Sequence, residues 1–155
     1  MKSDLTTVHD TCVARRTYDA SPAEVFAAWS DAAALEKWYV PGDGSWSSKV
    51  LKHEFRRGGA KLLEFGPARG PTYTEDCRYE DIVPERRICF AMTILRDAVP
   101  ITTSMVTVEL VARGKRTETV VTDQIAILDD GDTAEGRTRG WGETLDKLPR
   151  VLPRR

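Results

Sequence analysis

The sequence predicts an α+β fold: a curved antiparallel sheet of seven strands, two short helices after the first strand, and a long C-terminal helix that the sheet wraps. Three observations carry this. Strand-like segments with polar and apolar residues interleaved run from about residue 50 to residue 128. The connections within that stretch are short, which favours antiparallel hairpins over parallel crossovers. Helical spacing returns only after residue 132, and an amphipathic helix must bury its apolar stripe against the sheet.

Residues 8–18 (VHDTCVARRTY) hold β-branched and small residues among polar ones and suit a first strand. Ser21, Pro22 and Glu24 then form a helix start: a capping serine, a proline at the first helical position and a glutamate that completes a capping box. Val25, Phe26 and Trp29 share one helical face. Asp31 caps a second short helix with Leu35 and Trp38, which Pro41-Gly42 stops. Six strands follow over 50–55, 60–65, 73–83, 87–95, 102–112 and 117–128. Gly58-Gly59, the 66–71 segment, residues 97–100 and Arg113-Gly114-Lys115 punctuate them. The last helix starts near Thr133, with Asp132 and Glu135 as a second capping box. Trp141, Leu145, Leu148 and Leu152 make its stripe, and Pro149 ends or kinks it.

The 155 residues are a single domain's worth, and the domain is taken as 1–155. Hydrophobic residues at 41% and charged residues at 30% describe a globular chain rather than a disordered one. The net charge of −1 argues against nucleic acid as a partner. No apolar run approaches a membrane span, and Met1 to Leu5 lacks a signal-peptide core, so the expected location is cytoplasmic. Cys12, Cys77 and Cys89 are scattered and are expected to be reduced and unpaired. With only His9 and His53 as histidines, neither a metal site nor a cofactor is expected.

Five segments in order resemble a known family. They are residues 16–26 (RTYDASPAEVF), 29–31 (WSD) with 35–41 (LEKWYVP), 54–59 (EFRRGG), 78–84 (RYEDIVP) and 140–148 (GWGETLDKL). Together they resemble the START-like superfamily, and within it the small bacterial proteins related to the C-terminal domain of the Hsp90 ATPase activator. The resemblance runs from about Cys12 to Leu152. It implies the helix-grip fold, with a cavity between sheet and helix. Three departures stand out: Cys77 where glycine is usual, Glu85 where a second proline is usual, and Gly136, Gly140 and Gly142 within one helix. Each such glycine costs about 1 kcal/mol relative to alanine, so that helix is either loose or closely approached by another backbone.

Alternation puts Tyr73, Glu75, Cys77 and Tyr79 on one face, apolar enough to point inward. A buried Glu75 is either a ligand-orienting or acid/base group, or half of a structural ion pair. Arg16 is one candidate partner, and His53 is a candidate base or a hydrogen-bonded wall residue. One of Asp123 and Gln124 points inward, and Gln124 is the candidate polar fixture. The expected cavity walls are Trp38, Tyr39, Phe90, Met92, Met105 and Trp141, with Leu145 on the helix stripe. Trp46 is either a lid or the aromatic anchor of its loop. Lys49, Lys52, Arg56, Arg57 and Lys61 read as a solvated basic face.

The resulting expectation is a protein that binds a small apolar or amphipathic molecule in the cavity, with no nucleic acid or membrane partner. Two alternatives stand beside it: a cyclase or hydro-lyase acting in the cavity, and an interaction protein for an Hsp90-type chaperone. A homodimer is left open.

Overall fold

A computed structural model describes residues 4–154. Residues 1–3 and 155, which include most of the Met1 to Leu5 segment and the ends of the 1–155 domain assignment, lie outside the described residues. The chain runs β1 (Thr7–Tyr18), α1 (Pro22–Ser30), α2 (Ala32–Trp38), β2 (Ser47–His53), β3 (Ala60–Gly66), β4 (Tyr73–Val83), β5 (Arg87–Arg96), β6 (Val99–Arg113), β7 (Arg116–Leu128) and α3 (Ala134–Leu145), then a 3₁₀ turn at Leu148–Val151. The seven strands form one sheet in the order β1-β7-β6-β5-β4-β3-β2, and every pair is antiparallel. Only the β1–β7 pairing, from Thr7↔Leu128 to Tyr18↔Thr117, joins strands far apart in sequence. That pairing ties the N-terminal strand to the end of the meander.

The local signals act as their chemistry predicts. Ser21 Oγ accepts the Glu24 N–H, and Glu24 Oε1 accepts the Ser21 N–H, closing the capping box. Asp31 Oδ1 accepts from Ala33 N. At the turn between β2 and β3, a side chain on Gly59 would collide with the Glu54 carbonyl oxygen, which accounts for the glycine in the EFRRGG segment. Glu85 sits at φ 65, a left-handed conformation that proline cannot adopt, so its replacement of the usual proline fits this turn.

The last helix differs from the sequence reading at both ends. Thr133, not Asp132, is the cap: its Oγ1 accepts from Gly136 N at 2.9 Å, while Asp132 Oδ1 accepts from Thr133 N. The α-helix stops at Leu145 rather than Leu148. Pro149 cannot donate to the carbonyl four residues back, that of Leu145. The Tyr18 hydroxyl donates to that carbonyl instead, at 2.6 Å. The crowding at Gly142 comes from a side chain, not a backbone: Arg16 passes where a Cβ would stand and reaches Asp146 at 2.6 Å.

The core joins the inward residues of the sheet to α1, α2, Trp141 and Leu145 of α3 and Leu148 of the 3₁₀ turn. Trp29 and Trp38 meet edge to face at 4.8 Å, and Trp38 Nε1 donates to the Ala28 carbonyl. Beneath the start of α3, Cys12, Ile125 and Ile127 form a second small cluster.

Candidate functional site

A cleft of about 480 Å³ opens between the sheet and α3. One wall is aromatic. Tyr73 packs on both Trp46 and Phe65, with centroids 5.4 and 5.3 Å away and interplanar angles of 20° and 19°, and Trp46 and Phe65 lie 6.3 Å from each other, so the three rings form a triangular cluster. Leu63, Met92, Ile94 and Ile101 from β3, β5 and β6 line the sheet side. Trp141, Gly140, Gly136 and Thr144 line the helix side, and the 39–42 loop after α2 closes one end. Arg137, Arg139, Asp132 and Glu143 supply its charged edge.

That loop is fastened to α3 by Lys147. Its ammonium donates to the carbonyls of Val40, Gly42 and Glu143 at 2.9, 2.5 and 3.2 Å. Burial pushes this lysine below its usual range. Asp123 performs a similar service at the other end. Its Oδ2 accepts from Arg137 Nη1 and from Trp141 Nε1, both at 2.9 Å. Arg137 also donates to Thr102 Oγ1 at 2.6 Å and lies 3.5 Å from Asp132. The inner helix wall is therefore pinned to β6 and β7 by buried polar groups.

At the inner wall stands a second network. Glu75 pairs with Lys61 at 3.0 Å, and the two side chains are only 6% and 1% exposed. The Lys61 ammonium also donates to Tyr39 Oη at 3.2 Å, and it sits 3.9 Å from the centre of the Phe90 ring. Tyr39 in turn donates to Glu75 Oε1 at 3.1 Å, and the Cys77 thiol donates to Glu75 Oε2. Burial alone would lower Lys61, but the Glu75 carboxylate holds it well above the ordinary lysine range. Burial, then Glu75, pushes the Tyr39 phenol and the Cys77 thiol well up. Both therefore keep their protons.

The predicted site residues divide. Tyr39, Tyr73, Glu75, Met92 and Trp141 line the cleft, as does Trp46. Trp38, Phe90 and Leu145 do not; they are 0% exposed and belong to the solid core. Tyr79 is buried, and its hydroxyl is 2.8 Å from His53 Nε2 away from the cleft lining. Met105 and Gln124 point to the opposite face of the sheet, because inward positions on β6 and β7 fall at Val106 and Asp123. The partner of Glu75 is Lys61, not Arg16, which binds Asp146. Arg16, His53 and Glu75 thus do not converge. The basic face loses Lys61, while Lys49, Lys52, Arg56 and Arg57 are exposed. Lys61 was readable: it shares strand parity with Leu63 and Phe65.

Among the described residues, no group of three or more His, Cys, Asp or Glu is placed to hold a metal ion, and no helix is long and apolar enough to cross a membrane. All three cysteines are free thiols.

The family model "Activator of Hsp90 ATPase homolog 1-like protein" matches residues 19–153. The chain belongs to this family. A crystal structure of a Rhizobium loti protein is 35% identical, with a TM-score of 0.84 over 96% of this chain and 100% of that one. A Rhizobium leguminosarum protein is 31% identical, with a TM-score of 0.83 over 94% and 95% of the two chains. One from Chromobacterium violaceum is 28% identical, with a TM-score of 0.79 over 93% and 98%. No curated protein matches the chain. The family is START-like, and its helix-grip fold is the one seen here.

Proposed function

We propose that this protein binds a small, largely apolar molecule in the cleft between the sheet and α3. The observation that carries this reading is the cleft itself: about 480 Å³, aromatic and aliphatic on most sides, with few polar groups at its inner wall. Apolar walls supply most of the binding energy for such a ligand, and a few polar groups fix its orientation. A solid core would have left no such space. The in-cavity enzyme alternative has less support, because Arg16, His53 and Glu75 are each engaged elsewhere. The chaperone alternative rests on the family description alone.

The neutral dye Nile red tests the reading. It should bind with enhanced fluorescence, and Met92→Trp, which fills the cleft, should abolish that binding. Met105→Trp, on the opposite face, should leave it unchanged. Binding that ignores Met92→Trp would overturn the proposal.

A further inference from the structure

The inner wall of the cleft has a one-sided hydrogen-bonding character. The side-chain donors around Glu75 are spent on the protein. Lys61 directs its ammonium at Glu75, at Tyr39 and at the face of the Phe90 ring. The Tyr39 hydroxyl hydrogen goes to Glu75 Oε1, because its oxygen already receives Lys61. The Cys77 hydrogen goes to Glu75 Oε2. On the helix side, Trp141 Nε1 is spent on Asp123, and the Thr144 hydroxyl on the Gly140 carbonyl. Arg137 commits three of its five N–H groups, to Asp123, Thr102 and Asp132.

The acceptors are not all spent. A carboxylate offers about four lone-pair positions, and a phenol oxygen offers two. Glu75 receives three donors, and Tyr39 receives one. Both residues line the cleft, while Lys61 lies behind them. What a ligand meets at depth is therefore spare acceptor capacity on a carboxylate and a phenol. An anionic group placed there would face Glu75 with no uncommitted donor to receive it. Beside this wall the cluster of Trp46, Tyr73 and Phe65 offers aromatic surface to whatever lies alongside.

Resting on the proposed binding role, we infer that the cleft selects a neutral molecule with a flat apolar body and a hydroxyl or N–H donor at one end, and rejects the corresponding carboxylate. The donor end goes inward to Glu75 and Tyr39, and the flat body lies along the aromatic cluster. Arg139 and Glu143 stand at the charged edge with opposite signs, so the edge does not reverse this preference.

Three probes with one body separate the possibilities: 2-naphthol, 2-methoxynaphthalene and 2-naphthoate, titrated calorimetrically at neutral pH. The naphthol should bind about ten-fold more tightly than its methyl ether, the worth of one hydrogen bond to a charged acceptor. The naphthoate should bind more weakly than either. In the triple variant Tyr39→Phe/Lys61→Met/Glu75→Leu, which removes both acceptors, the ratio of naphthol to ether affinity should fall to about one. Equal affinities of naphthol and ether for the wild type would overturn this inference and leave cavity binding standing. So would a naphthoate that binds best, or a naphthol preference that survives in the triple variant. Failure of all three probes to bind would remove both readings together.

Discussion

Replacing Glu75 by leucine should strand a charge. Lys61 is 1% exposed, and its ammonium has three neighbours: Glu75 at 3.0 Å, Tyr39 Oη at 3.2 Å and the Phe90 ring at 3.9 Å. The variant removes the only one with a full negative charge. Breaking a buried pair in this way costs about 3–5 kcal/mol. That is a fifth or more of the total stability of a typical domain, about 5–15 kcal/mol. Urea unfolding followed by tryptophan fluorescence measures it. The double variant Lys61→Met/Glu75→Leu should recover most of the loss, because apolar residues of similar size replace a buried pair at little or no cost. The pH dependence should also change sign. In the wild type Lys61 stands above its ordinary value of 10.5, so its contribution is complete below that value and is lost as pH rises through the folded value. In Glu75→Leu burial acts without its counterion and pushes the lysine below 10.5. The unfolded chain then binds more protons, and stability should rise with pH between the lowered value and 10.5. A loss under about 1 kcal/mol, or a pH slope like that of the wild type, would show that Lys61 escapes to solvent and refute the argument.

Leu145→Ala should cost about 2–5 kcal/mol in the same assay, since the side chain is 0% exposed; a change under about 0.5 kcal/mol would place it outside the core. Thiol labelling of the folded protein should reach Cys89 first, because Cys12 and Cys77 are 2% and 3% exposed, and unfolding without reductant should release three thiols in all. A native protein that labels evenly would contradict the burial. Burial first, then the Lys61 charge, holds His53 below its ordinary value of 6.5. The unfolded chain takes up that proton first, so stability should fall as pH drops from 6.5 towards the lowered value, and His53→Asn should flatten this slope.

Local chemistry made much of the fold legible. The Ser21–Glu24 capping box and the Asp31 cap operate between residues two or three apart, so sequence alone displays them. The strands from β3 to β7 could be bounded closely because Gly58-Gly59, Asp97-Ala98 and Gly114 mark the hairpin turns between antiparallel neighbours. Glu75 was identified as inward by alternation, and so were Tyr73 and Met92. Alternation says which side of a strand a residue faces, but not where on that side the cleft is. Phe90 and Met92 share a face, yet only Met92 reaches the opening, because Phe90 lies beneath Lys61. Met105 and Gln124 were misplaced by a single residue of parity on β6 and β7, and one step turns a side chain to the other face.

The amino-acid sequence by itself determined the fold class, the element order, the caps of α1 and α2, the hairpin turns and the family. Those features follow from spacing and from neighbours a few residues apart. Only the tertiary structure decided that Glu75 is held by Lys61 and Tyr39, that Arg137 hangs from Asp123, and that Lys147 fastens the 40–42 loop to α3. In each case the partners are separated by 14 to 107 positions. The Lys61–Glu75 pair exists because β3 and β4 register Lys61 opposite Cys77 and Leu63 opposite Glu75, which sets the two charges on a diagonal of one buried face. A register is a property of two strands, and the place of Tyr39 is a property of a helix packed against them. Neither is written in the residues on either side of Glu75.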